Sequence, residues 1–152
     1  SGAAVIEATT GPGQLLGWDF DADGSLEELL YAEIGGTLHM EGKEVFRRAV
    51  RIMVDSAEKS IKAAGLTTNE ISLVVPHQAN IRIIDEMVKQ LKLPEHVAVA
   101  RDIVNTGNTS AASVPLAMHQ LLADGTVKSG GLALQIGFGA GLAFAAQVVV
   151  LP

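Results

Sequence analysis

An apolar run from Ile71 to Val75, interrupted only by Ser72, stops at Pro76; the polar cluster His77-Gln78-Ala79-Asn80 follows, and a helical pattern starts at Ile81. The run reads as a strand buried on both faces. Ile81, Ile84, Met87 or Val88, and Leu91 then mark one face of an amphipathic helix that ends before Pro94. A buried strand that feeds straight into a helix commits the chain to a layered α/β arrangement, because each such strand needs a helix to cover its faces. It also carries His77 to the C-terminal end of the strand, where open α/β sheets gather binding and chemistry.

The alternation continues on both sides of this unit. From Lys43, Phe46, Val50, Met53, Ala57, Ile61 and Ala64 recur at steps of three and four, with Gly65 as the stop. Val97–Ala100 is a further short strand, and a helix rich in small residues runs from about Thr109 to Ala123. Pro115 belongs in a first turn, so that helix either starts later than Asn108 or is kinked. The charge-free stretch from Gly130 onward is long enough to span a bilayer. Gln135, Gln147 and the glycines divide it into two buried strands instead, Leu132–Ile136 and Leu142–Leu151, which must be antiparallel because so few residues join them.

Before Lys43 the pattern is weaker. Ala3–Ala8 and Leu15–Phe20 are strand candidates separated by Gly11-Pro12-Gly13, and residues 31–42 show no period. The expected order is one strand followed by βαβαβαββ, an α/β layer structure with a mixed, mostly parallel sheet.

Composition narrows the function. The 152 residues make one ordinary domain, with 48% hydrophobic residues and 4% aromatic. The mean hydropathy of +0.31 is high for a free-standing domain and implies apolar surface that some other part of a protein covers. There is no cysteine, hence no disulfide, thiolate metal site or cysteine nucleophile. Together with the lack of a leader sequence this fits a cytoplasmic protein. Net charge is −6: residues 1–44 hold nine acidic residues against Lys43 alone, while residues 45–152 hold eight acidic and ten basic. That balance disfavours nucleic acid, yet leaves the second part a basic patch for an acidic protein.

Asp19, Asp21, Asp23 and Gly24 open like an EF-hand calcium loop, but the twelfth position is Leu30 where a bidentate Glu is needed, and a strand precedes the loop instead of a helix. An acidic solvated loop is the simpler reading. No histidine pair has metal-ligand spacing, so no metal site is expected. His39, His96 and His119 lack polar company and read as structural or surface residues. Arg47, Arg48 and Arg51 read first as a solvated helix face.

Three polar turns remain: Pro76–Asn80, Asn105–Ser110 and Gly137–Gly141. Asn108 before Thr109-Ser110 is a good helix cap. An amide and an imidazole facing one point would also supply two donors that stabilise a developing oxyanion or enolate. The Gly137–Gly141 turn lets backbone N–H groups approach a ligand closely. Its spacing is not GxGxxG, so it is no dinucleotide fingerprint.

Pro76-His77-Gln78-Ala79-Asn80, Gly107-Asn108-Thr109-Ser110-Ala111-Ala112-Ser113 and Gly137-Phe138-Gly139-Ala140-Gly141 resemble, in order and separation, the three C-terminal signatures of the β-ketoacyl-[acyl-carrier-protein] synthase III family. Chalcone synthases and hydroxymethylglutaryl-CoA synthases share the fold and a His/Asn site, but the Pro-His-Gln-Ala-Asn form points to the bacterial enzyme. The resemblance implies a thiolase-like half, with residues 1–14 ending an N-terminal half and residues 15–152 forming the C-terminal domain. It implies a Cys-His-Asn site between the halves, the substrates acyl-CoA and malonyl-acyl-carrier-protein, no cofactor, and a homodimer. His77 and Asn108 match the residues that bind the malonyl thioester carbonyl. Phe138 matches an active-site aromatic, and the Ala140 N–H matches an oxyanion-hole position.

The same resemblance assigns Gln78, Ala79, Asn80, Ile81 and Arg82 to carrier-protein contact, with Arg47 and Lys89 completing a basic landing site. The nucleophilic Cys is absent, so the expectation is half of a decarboxylative condensing enzyme, inactive without its other half. Two alternatives stand beside it. A non-catalytic carrier-protein-binding module needs Arg82 but not His77, and a calcium-binding domain would be built on Asp19–Asp23.

Overall fold

A computed structural model describes residues 1–11 and 13–152. Pro12, in the middle of the expected Gly11-Pro12-Gly13 break, lies outside the described residues. Five strands form one sheet in the order β1-β7-β6-β4-β5: β1 (Leu15–Ala22), β4 (Leu73–Pro76), β5 (Ala98–Val99), β6 (Leu132–Gly139) and β7 (Ala143–Val150). β4 pairs in parallel with β5 and β6, while β7 runs antiparallel to both β6 and β1. Four of the five strands therefore point one way, and β7 alone opposes them.

Helices cover both faces. α1 (Gly42–Ala63) and α2 (Ile81–Leu91) pack on one face, where Met53, Ile61, Ile71, Val74, Ile83, Met87, Leu134, Ile136 and Val148 are buried. The short α3 (Ile103–Thr106) and α4 (Ser113–Ala123) follow β5, and α4 packs on the other face over Leu73, Val75, Ala133 and Leu151. Val74 and Val75 thus go to opposite cores, which is why the strand reads as a continuous apolar run. The two glutamines of the charge-free end are neighbours across β6 and β7, with Gln147 Nε2 donating to Gln135 Oε1 at 2.7 Å. Among the described residues no helix is long and apolar enough to cross a membrane.

Local chemistry sets the boundaries. α1 ends ahead of Gly65, which takes φ +71°, and α2 ends at Lys92 in the left-handed region. β1 bulges between Leu15 and Gly17, where a Cβ on Gly17 would meet Ser60 O at 2.5 Å and Ala64 N at 2.4 Å. Only glycine lets the edge strand lie this close to α1. α4 begins at Ser113, after a 3-10 turn over Ser110–Ala112, so Pro115 does sit in the first turn and the helix starts later than Asn108.

Several expectations need correction. Ala3–Ala8 forms no strand; Val5 and Ile6 are 88% and 93% exposed, and the segment joins neither sheet. Most of residues 31–42 belongs to a hairpin of two three-residue strands, β2 (Leu30–Ala32) and β3 (Leu38–Met40), too short to show a period. Asp19 and Asp21 belong to β1, and Asp23 caps the 3-10 turn Gly24–Leu29 by accepting from Ser25 N at 3.0 Å. A strand before Asp23 and a 3-10 turn after it do not make the helix–loop–helix of an EF-hand, and the described residues hold no cluster of three or more potential metal ligands.

Candidate active site

All three polar turns contribute to the lining of one groove of about 1250 Å³. His77, Asn108, Phe138 and Ala140 all line it, together with Ala79, Asn80, Arg82 and Phe46. The small hairpin also lines it, through Leu30, Leu38 and Met40, as does Phe20 on β1. The lining is mostly apolar, with the His77 and Asn108 side chains supplying polar groups inside it.

His77 is placed by the end of β4. Its backbone N–H donates to Ile136 O at 2.7 Å, extending the ladder to β6 by one residue. Its ring meets Phe138 edge to face, with centroids 5.9 Å apart. Nδ1 lies 2.7 Å from Ser113 Oγ, whereas Nε2 has no partner among the described residues. Burial pushes the imidazole pKa below its ordinary 6.5, so the ring is neutral at pH 7 and carries one N–H.

Asn108 precedes the 3-10 turn that leads into α4. Its Oδ1 accepts from Ser110 N at 2.9 Å, which fixes the amide and turns its NH₂ into the remaining polar group. Asn108 is thus not the helix cap that the sequence predicted: the 3-10 turn is capped at Thr109 and α4 at Ala112, and the Asn108 bond closes an Asx turn just ahead of them. An imidazole nitrogen and an amide nitrogen, each with its other end fixed by the fold, line the same groove.

The glycine turn is shorter than its sequence pattern. β6 runs through Gly137 and Phe138 to Gly139, pairing them with Ala145, Phe144 and Ala143. Ala140 stands at the tip, exposed, before Gly141 at φ +137°.

Gln78 departs most from its expected role. It is fully buried: Nε2 donates to Pro76 O at 2.7 Å and Ala100 O at 3.2 Å, and Oε1 accepts from Ile103 N at 3.1 Å. It ties β4 to the segment after β5 and to α3, and offers nothing to a partner's surface. Asn80 caps α2 by accepting from Arg82 N at 2.9 Å and is exposed. Arg82 lies over the Phe46 ring at 5.8 Å. Arg47 and Arg48 both pair with Glu44 across one helical turn, and Arg47 lines an adjacent hollow between α1 and β1. Lys89 is exposed two turns along α2 and does not line the groove. His39 stacks on Tyr31, His96 bonds Asn69 O at 3.1 Å, and His119 is exposed.

Residues 61–151 match the family described as 3-oxoacyl-[acyl-carrier-protein (ACP)] synthase III C terminal. The chain belongs to this family. Beta-ketoacyl-[acyl-carrier-protein] synthase III 1 of Streptomyces coelicolor is 53% identical over 143 residues, which cover 91% of this chain and 42% of that protein. Among solved structures, the 3-oxoacyl-[acyl-carrier-protein] synthase III of Aquifex aeolicus superposes with a TM-score of 0.88 at 40% identity, covering 94% of this chain and 46% of its own. The priming β-ketosynthase of the R1128 polyketide pathway gives 0.88 at 43% identity, over 95% and 46%. The fold is thus one half of a thiolase-like synthase III, and the chain spans about half the length of the curated relatives it matches.

The depressed His77 pKa has a measurable consequence for this synthase III half. Well above pH 6.5 the ring is neutral in both the folded and unfolded chains. As pH falls through 6.5 toward the lower folded value, the unfolded chain takes the proton first and stability declines. Denaturant midpoints at about pH 7.5, 6.5 and 5.5 should show that decline in the wild type and a shallower one in His77→Gln.

Proposed function

We propose that the chain supplies the electrophilic side of a decarboxylative condensation site, as the C-terminal half of a β-ketoacyl-acyl-carrier-protein synthase III that starts fatty-acid synthesis. The observation that carries the reading is the pair of fixed donors, His77 and Asn108, in one groove with Phe138 and Ala140. When a malonyl thioester loses CO₂, the electron pair of the broken C–C bond moves into the thioester and charge develops on its oxygen. His77 Nε2–H and the Asn108 NH₂ both donate to that oxygen. The enolate carbon then attacks an acyl thioester on a cysteine; the tetrahedral intermediate collapses, expels the thiolate and leaves a β-ketoacyl product. In this reading the N–H of Ala140, which lines the groove, meets the oxyanion of that second step.

The nucleophile has to come from a second half, because this chain has no cysteine. Its length, about half that of its relatives, supports that division. So does the sheet surface: Trp18 and Phe20, on the β1 face turned away from α1, are 62% and 68% exposed. A complementary half would cover them, with residues 1–14 as the end of that half. In this reading acyl carrier protein docks on the rim formed by Ala79, Asn80, Ile81 and Arg82, with Arg47 and Lys89 as outlying positive charges. Gln78 is excluded by its burial.

The test is reconstitution. Mixing the chain with a cysteine-bearing N-terminal half of a relative should yield condensation of acyl-CoA with malonyl-acyl-carrier-protein that neither half gives alone. Salt-sensitive carrier-protein binding with no condensation in the mixture would favour the non-catalytic module.

A further inference from the structure

We infer that Ser113 is a positioning residue that holds His77 as the tautomer protonated on Nε2; its value for catalysis rests on the role proposed above for that ring. Ser113 is 1% exposed, at the first position of α4. Among the described residues its Oγ has two partners. One is the backbone N–H of Gln78 at 3.1 Å, and the other is His77 Nδ1 at 2.7 Å.

Donor counting settles the direction. A backbone N–H can only donate, so Ser113 Oγ accepts from Gln78. The hydroxyl still owns one proton, and in this buried place its available acceptor is His77 Nδ1. If Nδ1 carried the ring proton instead, the serine would accept from both neighbours and its own proton would be buried without a partner, which is unfavourable. The paired arrangement makes Nδ1 an acceptor. A neutral imidazole has a single N–H, so the proton sits on Nε2.

This couples two turns that are far apart in the chain. The Gln78 N–H belongs to the residue after His77, and Gln78 is itself locked by three side-chain hydrogen bonds. Ser113 thereby bridges the end of β4 to the start of α4, five residues after Asn108. The same few bonds set where the imidazole sits, which nitrogen bears its proton, and how the helix behind Asn108 is seated.

The test is spectroscopic. In the full 152-residue chain with ¹⁵N-labelled histidine, long-range proton–nitrogen spectra above pH 7 should show His77 Nδ1 as the unprotonated nitrogen and Nε2 as the protonated one. Ser113→Ala should shift both resonances toward a mixture of tautomers, and Ser113→Thr, which keeps the hydroxyl, should restore the wild-type pattern. A wild-type ring protonated on Nδ1 would overturn the inference even if Ser113→Ala fails to fold. An unchanged spectrum in a folded Ser113→Ala would overturn it as well. In the reconstituted enzyme Ser113→Ala should lower condensation on the order of tenfold, the scale of groups that orient a functional imidazole, with recovery in Ser113→Thr. If the tautomer is as inferred while His77→Ala leaves condensation unchanged, the catalytic reading fails and the positioning role stands.

Discussion

His77→Ala and Asn108→Ala, each placed in the assembled enzyme, are expected to lower decarboxylative condensation by about a hundredfold or more, the usual loss when one oxyanion donor is removed. Each side chain lines the groove with one end already held, Nδ1 by Ser113 and Oδ1 by Ser110. Little reorganisation is then needed when charge appears on the substrate oxygen, and the cost of losing a donor falls on the transition state. The loss should therefore appear in kcat and kcat/KM alike, with KM for the carrier-protein substrate nearly unchanged. The double variant should cost less than the product of the two single effects, because both donors serve one oxygen.

Gln78→Leu is expected to destabilise the chain by about 3 kcal/mol or more in denaturant unfolding, since each buried polar group left without a partner costs about 1–3 kcal/mol. The substitution keeps the side chain's approximate bulk, so cavity formation contributes little. It removes the donor to Pro76 O and Ala100 O and the acceptor for Ile103 N. Carrier-protein affinity should be affected only through loss of folded protein. A variant of wild-type stability with weakened docking would return Gln78 to the contact surface.

Gln78 also shows where reading the sequence stops. A glutamine in a polar turn looks solvent-exposed, and its burial depends on the end of β5 and on α3 folding over it. α3 is a single turn of four residues, too short to show a 3.6-residue period. Ser113 was hidden for a similar reason. It sits in a run of small residues and becomes chemically visible only once α4 meets the end of β4. Longer elements were legible because periodicity accumulates along them: α1 over 22 residues, and β4 and α2 through the switch from a continuous apolar run to a helical face. The β2–β3 hairpin carries no such signal. Ala3–Ala8 has the residues of a strand, but a strand is a property of two segments, and this one pairs with no other.

The groove itself was legible in outline. His77, Asn108 and the glycine turn could be singled out because each interrupts an apolar pattern at the end of an element. Their meeting in one place follows from topology: β4 and β6 are adjacent and parallel, so the ends of both strands and the start of the α4 segment fall at the same edge of the sheet. The two-donor reading was available from the residue types; which atom each side chain has already committed, Nδ1 to Ser113 and Oδ1 to Ser110 N, follows only from the fold.

The central claim is that His77 and Asn108 act on the malonyl thioester and not on loading of the cysteine. The most direct test separates the half-reactions in the assembled enzyme carrying His77→Ala. Acylation of the partner half's cysteine by acyl-CoA and CO₂ release from malonyl-acyl-carrier-protein are each followed on their own. Acylation close to wild type with CO₂ release reduced about a hundredfold or more is the predicted result. Acylation reduced as much as CO₂ release, or CO₂ release left unchanged, would contradict it.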